Sequence, residues 1–319
     1  MSKRVMSGLI SIIGVALAVF VGAPAQAAEA TYLGPTVCMG CHHAMNAAQI
    51  KGWQESPHSR AFWKTDESDA TRKVVADLTK APFPKDQVAW ILGSGARSQA
   101  YLDKDFKVLP GRWMVKGSSW QPQDAVDAKK DCLGCHTTGY NPAAATWVAA
   151  GIGCEMCHGA GSAHAGSADK KGTIVHVEQL PPDRRAMVCG RCHSKGKTPD
   201  GAYTFPVSFA PGDDLDKVFV LKQDVPKGAM NGQYNELRFG GGKHLANGVV
   251  CTTCHDPHAT TGVAHELRKP VPDLCMDEKC HGGGKLKAPP HTEQVIKSVS
   301  CVMCHMPNES HAFVTPKTG

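Results

Sequence analysis

A histidine follows directly after the second cysteine of every cysteine pair in this 319-residue chain. The fourteen cysteines form seven such pairs, six with two intervening residues and one with four. In chain order the motifs are Cys38/Cys41/His42, Cys132/Cys135/His136, Cys154/Cys157/His158, Cys189/Cys192/His193, Cys251/Cys254/His255, Cys275/Cys280/His281 and Cys301/Cys304/His305. Two thiols at this spacing can form thioethers to the two vinyl groups of one haem, and the adjacent imidazole can then bind its iron. The pattern predicts seven covalently bound haems c, numbered here haem 1 to haem 7, with the motif histidines as proximal ligands.

Zinc sites, redox dithiols and ordinary disulfides also use paired cysteines. Zinc ribbons do not require a histidine directly after each pair. A redox dithiol normally occurs once, in a thioredoxin-like setting. Histidine makes up only 16 of the 319 residues, so its presence after every pair favours haem attachment over these three alternatives.

The N-terminus has the layout of a secretory signal peptide. Basic Lys3 and Arg4 precede an apolar run at 9–21, and small residues follow up to Ala27. We expect cleavage after Ala27 and export to the periplasm or the outer cell surface. The apolar run is shorter than the about 20 residues that a membrane-spanning helix needs. An uncleaved anchor is therefore the less favoured alternative, and we expect no transmembrane segment in the mature chain.

Nine histidines remain beyond the seven of the motifs. Two imidazoles on each iron are typical of low-potential electron transfer and leave no open coordination position. We expect the distal ligands to come from His43, His58, His164, His244, His258, His291 and His311, and we rank His176 and His265 last. Methionines inside the attachment loops are expected to pack rather than to bind iron; they are Met39, Met156, Met276 and Met303.

The motif spacing predicts a mainly α fold with extensive coil, packed around its haems. Seven haems leave roughly 40 residues of mature chain for each, too few for a separate apolar core around every one. Short helices are expected at the motifs. The expected segments are the signal peptide at 1–27, haem 1 with a Trp-rich helix and β segment at 28–131, haems 2–4 at 132–200, a connecting loop at 201–243 and haems 5–7 at 244–319.

Two stretches between motifs predict further structure. Between haems 1 and 2, short β-prone runs predict a small antiparallel meander; they are 88–92, 99–102, 107–109 and 112–115. Trp53 and Trp63, with His58 between them, fit one helix, and the tryptophans of this region are expected to form an aromatic core. In the connecting loop, alternating apolar residues at 205–209 are spaced for a strand, and 215–221 predicts a short helix.

With these motifs, the chain resembles the exported multihaem c-type cytochromes, in particular the cytochrome c-554-like group. The resemblance covers most of the mature chain. Around the first motif it rests on Tyr32-Leu33-Gly34 and, further along, on Trp53 and Ser56-Pro57-His58. It continues through the second and third motifs, with Thr137-Thr138-Gly139-Tyr140 and Gly159 after them, and through Cys254-His255-Asp256-Pro257-His258 and Cys304-His305-Met306-Pro307. It implies a mostly helical protein whose haems stack in parallel and perpendicular pairs and carry electrons. Seven motifs exceed the four haems of the group's namesake, so its haem pairing does not transfer.

The main functional hypothesis is an electron relay through mostly bis-histidine haems, with no catalytic residue. Its expected partners are redox proteins, either other cytochromes or a quinol-oxidising membrane complex. One alternative is a multihaem reductase of a small nitrogen or sulfur oxyanion at one open haem, although the sequence contains no Cys-x-x-Cys-Lys motif of the kind common at such sites. Another is a homo-oligomer or extracellular filament, in which a surplus histidine binds iron across a subunit boundary.

The positive charge of the chain does not indicate nucleic acid. The formal charge is +6, which by itself favours anionic partners. Removal of the signal peptide takes away Lys3 and Arg4, and haem propionates add negative charge. Many of the remaining lysines and arginines are therefore expected to pair with propionates.

Overall fold

The computed structural model describes residues 30–68, 70–286 and 291–316; the expected signal peptide at 1–27 lies outside them. The helices of the described residues are short, with none longer than nine residues. They are Pro35–His42 (α1), Ala47–Glu55 (α2), Ala128–Asp131 (α3), Leu133–His136 (α4), Glu155–His158 (α5), Ser162–Gly166 (α6), Pro182–Gly190 (α7), Gln233–Phe239 (α8), Cys251–Cys254 (α9), Glu293–Ser298 (α10) and Cys301–His305 (α11).

Six of the seven motifs coincide with a helix or its end, namely α1, α4, α5, α7, α9 and α11. A helix places positions i, i+3 and i+4 on one face, which are the positions of the two cysteines and the histidine in a Cys-x-x-Cys-His motif. The motif at Cys275–His281 has its cysteines five positions apart, which does not match this period. That segment forms consecutive turns instead of a helix.

The predicted meander is confirmed as a five-stranded antiparallel sheet with strands in chain order. Its strands are Phe62–Lys64 (β1), Trp90–Leu92 (β2), Ser98–Leu102 (β3), Val108–Met114 (β4) and Ser119–Gln121 (β5). The two runs predicted at 107–109 and 112–115 belong to the single strand β4, and both edge strands were missed. The predicted helix containing both Trp53 and Trp63 is wrong. Helix α2 ends at Glu55, because Pro57 disfavours helical conformation for the residue before it, and Trp63 lies in β1.

Both faces of this sheet are covered. One face packs Trp63, Ile91 and Tyr101 against Phe83, with Trp113 and Trp120 beside them. This confirms an aromatic core for three of the five tryptophans of the region; Trp90 packs on the other face, and Trp53 lies in α2 outside both clusters. The other face packs apolar side chains against Leu133 of α4, which belongs to the second haem motif. The alternation of side chains along each strand thus fixes this motif to one face of the sheet.

The stretch between motifs 4 and 5 has less regular structure than the sequence predicts. Residues 205–209 form no strand, since Pro206 cannot donate a ladder hydrogen bond; Phe205 and Phe209 are buried. The predicted helix at 215–221 is a 3₁₀ turn at Leu215–Lys217, followed by a strand. Phe209, Leu215 and Phe219 pack on α7 and Tyr234, so the stretch covers the fourth motif.

The remaining elements are two small β ladders and isolated 3₁₀ turns. The ladders pair Thr137–Thr138 (β6) with Ala149–Ala150 (β7), and Gly196–Lys197 (β8) with Val220–Leu221 (β9). The other 3₁₀ turns are Thr65–Glu67, Leu78–Lys80, Lys85–Gln87, Val177–Gln179, Leu245–Asn247, Ala264–Glu266 and Pro307–Glu309. Across the described ranges, no helix has the length and apolar character needed to cross a membrane. The fold is mainly short helix and coil with one small antiparallel sheet, as predicted.

Candidate haem-binding centre

A continuous cleft-like cavity of about 2570 Å³, partly open to solvent, runs between the sheet and the attachment motifs. Three motif histidines line it, namely His136, His193 and His255, together with four histidines from outside the motifs, namely His58, His244, His265 and His311. Cysteines of the second, third, fourth, fifth and sixth motifs also face it. His193 is exposed to this cavity, so the motifs present their ligands to the space between the packed segments.

Six motif histidines each face a histidine from another part of the chain at nearly the same separation. The ring-centroid distances are 6.0 Å for His42–His164, 6.3 Å for His158–His258, 6.1 Å for His193–His58, 6.2 Å for His255–His311, 6.1 Å for His281–His244 and 5.8 Å for His305–His291. These distances are too long for direct ring stacking and too uniform to be unrelated contacts.

The separation fits one metal atom between the two rings. A metal–imidazole bond is about 2 Å long and the ring centre lies about 1.1 Å beyond the nitrogen, so two imidazoles on opposite sides of one iron have centroids about 6.2 Å apart. Four of the pairs have nearly parallel ring planes, with interplanar angles of 16–23°. The His193–His58 pair is perpendicular, at 90°. Both orientations are compatible with axial ligation of a haem.

Hydrogen bonds at Nδ1 leave Nε2 free for the iron. Five motif histidines have Nδ1 within hydrogen-bond distance of an oxygen. His42 Nδ1 lies 2.9 Å from Asn46 Oδ1, and His136 Nδ1 lies 3.0 Å from Ala61 O. The other three distances are all 2.9 Å: His158 Nδ1 to Val175 O, His255 Nδ1 to His265 O and His305 Nδ1 to Val314 O. Among their counterparts, His164 Nδ1 lies 2.7 Å from Lys170 O. An Nδ1–H that donates to a carbonyl fixes the tautomer in which Nε2 is the metal-binding nitrogen.

Burial favours the neutral form of six imidazoles, which is the form that binds metal. Burial lowers the pKa of His193 to about 4, with repulsion from His58 adding to the effect. Burial likewise lowers the pKa of His58, and the nearby His255 lowers it further. The pKa values of His136, His244, His258 and His311 are also lowered, chiefly by burial.

None of the fourteen cysteines is joined to another in a disulfide, and sulfur atoms of different motifs touch one another. The contacting pairs are Cys38 with Cys154, Cys135 with Cys192, Cys189 with Cys251, and Cys275 with Cys301. The contact with Cys154, together with burial, raises the pKa of Cys38. The first motif is therefore adjacent to the third, and the second to the fourth. Spacing along the chain did not predict this order.

His136 of the second motif differs from the other six motif histidines. Within the described part of the chain, no histidine ring lies opposite it at this separation, although its Nδ1 is held by Ala61 and its ring faces the cavity. His43, one of the expected distal ligands, is exposed and has no such ring partner among the described residues. His176 and His265, ranked last, likewise have none there.

Two carboxylates beside the distal histidines were missed by the sequence interpretation. Asp256 Oδ1 lies 3.7 Å from His258 Nδ1, and Glu266 Oε1 lies 3.9 Å from His58 Nδ1. The sequence could have pointed to Asp256, because it lies between His255 and His258. Nothing in the sequence pointed to Glu266. Of the attachment-loop methionines, Met156 is buried, and Met303 is 70% exposed on the wall of the cavity.

Two family models match parts of the chain. The model described as cytochrome c554 and c-prime matches residues 98–159, which include the second and third motifs. A model for a doubled CXXCH motif matches residues 243–286, which include the fifth and sixth motifs. Both matches fall on attachment motifs whose histidines face the cavity or a paired histidine.

Known proteins with similar sequence or fold are multihaem cytochromes. Cytochrome c-554 of Nitrosomonas europaea is 22% identical over 232 residues, which is 67% of this chain and 79% of that protein. The crystal structure of the outer cell wall cytochrome OcwA matches with a TM-score of 0.69 and 21% identity, over 88% of this chain and 79% of that one. An undecahaem cytochrome from the S-layer of Carboxydothermus ferrireducens matches with a TM-score of 0.54 and 21% identity, over 90% of this chain and 52% of that one. With its motifs, its facing histidines and these relatives, the chain is a multihaem c-type cytochrome, a class of electron-transfer protein.

Proposed function

We propose that the chain binds seven haems c and relays electrons between redox partner proteins. Each motif holds one haem through its two cysteines and its histidine. Six irons receive a second imidazole: His164 for haem 1, His258 for haem 3, His58 for haem 4, His311 for haem 5, His244 for haem 6 and His291 for haem 7. The observation that carries the proposal is the common separation of these six ring pairs, 5.8–6.3 Å. Haem iron supplies one-electron chemistry, and two strong axial ligands favour electron transfer over substrate binding.

The contacts between attachment cysteines support a branched electron path. The contacts join haem 1 to haem 3, haem 4 to haem 5 and haem 6 to haem 7, and they join haem 2 to haem 4 as a side branch. Besides burial, Cys280 raises the pKa of Cys254 and Cys192 raises that of Cys157, which would put haem 5 near haem 6 and haem 3 near haem 4. Electron transfer slows steeply with distance, so motifs in contact form a continuous conductor.

The two ends of this path are accessible for partners. At haem 1, Cys41 is exposed, and at haem 7, Cys304 is exposed. Partners outside the cytoplasm, such as other cytochromes or a quinol-oxidising membrane complex, would dock at these ends. Export is supported by the signal-peptide pattern at 1–27 and by the cell-wall and S-layer origin of the two structural relatives.

Mass spectrometry and electron paramagnetic resonance of the holoprotein test the assignment. The mass of the mature chain beginning at Ala28 should exceed that of the polypeptide by seven haems. Six low-spin ferric haems and one high-spin haem should appear. A mass corresponding to fewer haems, or several high-spin haems, would contradict the ligand set proposed above.

A second candidate function is favoured by His136 alone. The iron of haem 2 has no imidazole opposite it among the described residues, so a small molecule could bind there. The corresponding activity is reduction of a small nitrogen or sulfur oxyanion, with electrons delivered through haem 4. Turnover of nitrite, hydroxylamine or tetrathionate with a reduced dye tests it; no turnover of any of the three would leave electron transfer as the sole function.

A further inference from the structure

A short segment near the C-terminus touches a proposed ligand of each of the last three haems, and we call residues 310–314 the C-terminal strap. His311 of the strap faces His255 and is the proposed second ligand of haem 5. Val314 is joined to His305, the proximal ligand of haem 7, by two hydrogen bonds. Val314 N donates to His305 O at 3.0 Å, and His305 Nδ1 lies 2.9 Å from Val314 O. The ligands of haems 5 and 7 therefore both depend on the position of this one segment.

Phe313 of the strap orients the proposed second ligand of haem 6. Its ring centroid lies 4.1 Å from that of His244, and the two ring planes are inclined by 47°. Nδ1 of His244 is buried and has no hydrogen-bond partner within the described residues. By contrast, backbone carbonyls lie within hydrogen-bond distance of Nδ1 in His164 and His311. Packing against an aromatic ring, rather than a hydrogen bond, therefore orients His244.

A buried carboxylate holds the strap in place. Glu236 of α8 is buried, and its Oε2 accepts a hydrogen bond from His311 N at 2.8 Å. Its Oε1 accepts from Gly228 N. No lysine or arginine of the described ranges forms an ion pair with this carboxylate. A buried carboxylate without a cation is stabilised by the amides that donate to it, so Glu236 and the strap stabilise each other.

Two glycines let the strap lie directly against the end of α8. A Cβ at Gly240 would lie 2.5 Å from Ala312 Cβ, and a Cβ at Gly242 would lie 2.6 Å from Ala312 O. Ala312 itself is buried. The strap therefore fits closely against the last turn of α8 and the glycines that follow it, and a small displacement would break this packing.

We propose that the C-terminal strap controls the axial ligation of haems 5, 6 and 7 together, and that Glu236 is the positioning residue that holds it. The inference rests on the proposed function for the ligands assigned to these three haems. When His311 leaves its iron, the strap moves with it unless Glu236 retains the backbone. Such a movement reaches Phe313 and Val314, which follow two and three positions later. The strap thus keeps haem 5 closed to external ligands and keeps the imidazoles of haems 6 and 7 in their orientations.

Carbon monoxide binding to the reduced holoprotein tests the role of Glu236. Carbon monoxide must displace His311 to reach the iron of haem 5, so a firmly held strap lowers its affinity there. An amide has one acceptor oxygen and cannot serve both Gly228 N and His311 N. Glu236→Gln should therefore raise the carbon monoxide affinity of one haem by about tenfold or more. Asn235→Ala is the matched control, because this fully buried side chain of the same helix bonds only to backbone atoms outside the strap.

Electron paramagnetic resonance of the ferric holoprotein tests whether the strap acts as a unit. The signal of a low-spin haem depends on the orientation of its two axial imidazoles, and alanine variants of His311, His244 and His291 identify the signals of haems 5, 6 and 7. Glu236→Gln should change all three signals and leave those of haems 1, 3 and 4 as in the wild type. Phe313→Leu should change the signal of haem 6. Phe239→Leu is its control, since Phe239 is exposed at the end of α8 and faces no histidine among the described residues.

The outcomes separate the strap from the proposed function. An unchanged carbon monoxide affinity in Glu236→Gln, an equal gain in Asn235→Ala, or a change confined to haem 5 would each overturn the proposal. If Glu236→Gln does not fold, an unchanged haem 6 signal in Phe313→Leu overturns it independently. An open haem 2 binds carbon monoxide equally in all variants, so only the difference from the wild type reports on the strap. Failure of the proposed ligand set would appear instead as high-spin signals from these haems in the wild type.

Discussion

The imidazole rings of His42 and His164 face each other with their centroids 6.0 Å apart and their planes inclined by 23°. His42 ends α1 inside the first motif, and Asn46 holds its Nδ1. His164 lies in α6, just after the third motif, and Lys170 O holds its Nδ1. The two rings are thus oriented independently by their own surroundings. An iron of haem 1 between them would join the N-terminal segment to the third motif.

Replacement of His164 by alanine should convert one haem of seven from low-spin to high-spin. The side chain removed is the second axial imidazole of haem 1, and alanine offers no ligand in its place. Electron paramagnetic resonance of the ferric protein measures the change. His43→Ala is the matched control, because His43 is exposed and faces no motif histidine among the described residues. Conversion in the His43 variant but not in the His164 variant would contradict the pairing.

Gly134→Ala in the second motif should destabilise the protein, whereas Gly40→Ala in the first motif should not. Both glycines precede the second cysteine of a motif. A Cβ at Gly134 would overlap the ring of Phe205, whereas a Cβ at Gly40 would meet nothing within 4 Å. Overpacking of this kind costs about 1–3 kcal/mol in the free energy of unfolding. Alanine at Gly40, inside α1, should instead be neutral or stabilising by up to about 1 kcal/mol.

Denaturant unfolding of the two holoprotein variants measures this difference. Adding Phe205→Leu to the Gly134→Ala variant should restore part of the lost stability, since the smaller side chain leaves room for the new methyl group. Equal stability of the Gly134→Ala and Gly40→Ala variants would show that Phe205 does not constrain the second motif.

Glu155→Gln should lower the free energy of unfolding by about 2 kcal/mol or more. The carboxylate of Glu155 is 2% exposed and accepts hydrogen bonds from three backbone amides, Leu33 N at 2.8 Å, Gly34 N at 2.7 Å and Gly161 N at 2.8 Å. An amide side chain has one acceptor oxygen and cannot satisfy all three donors. Glu293→Gln is the control, because its pairing with Lys297 is on the surface and should cost less than about 0.5 kcal/mol. Denaturant titration compares the two, and equal losses would refute a special role for Glu155.

The Asp216–Arg238 ion pair should make a pH-dependent contribution to stability. Its two parallel contacts, Nη1–Oδ1 and Nη2–Oδ2, are both 2.6 Å long. The hydrogen bond from Arg238 lowers the pKa of Asp216 below its ordinary 3.8, against the opposing effect of burial. A carboxylate with a lowered pKa stabilises the folded chain above its unfolded-state pKa, and this stabilisation is lost as the pH falls through the folded-state pKa.

Asp216→Asn should therefore cost about 0.5–1 kcal/mol at pH 7, since the pair is partly exposed to solvent. The difference from the wild type should shrink as the pH falls below about 4. Unfolding titrations at several pH values measure it, with Asp66→Asn, in an exposed pair with Lys64, as the control. A difference independent of pH would mean that the effect comes from packing rather than from charge.

Much of the fold was predictable because it depends on local patterns. The β-prone runs around Trp90 and Tyr101, separated by Gly, Asp and Pro, predicted the meander, because such runs favour strands and these breakers favour turns. The helix predicted through Trp53 and Trp63 was wrong because the spacing of two aromatic residues carries no information about the chain break at Pro57. Strand β5 was missed because three residues are too few to show a period.

The attachment chemistry could be predicted from spacing alone, because two thiols and an imidazole on one helical turn meet the same haem. The second histidine ligand of each iron could not be predicted from spacing. His258 follows the fifth motif but faces the histidine of the third, and His58 follows the first motif but faces the histidine of the fourth. Such pairs form only when distant segments pack, and packing also leaves His136 without an imidazole opposite it within the described residues. The order of the motifs in space is likewise a property of tertiary contacts, since thiols as far apart in the chain as Cys38 and Cys154 touch.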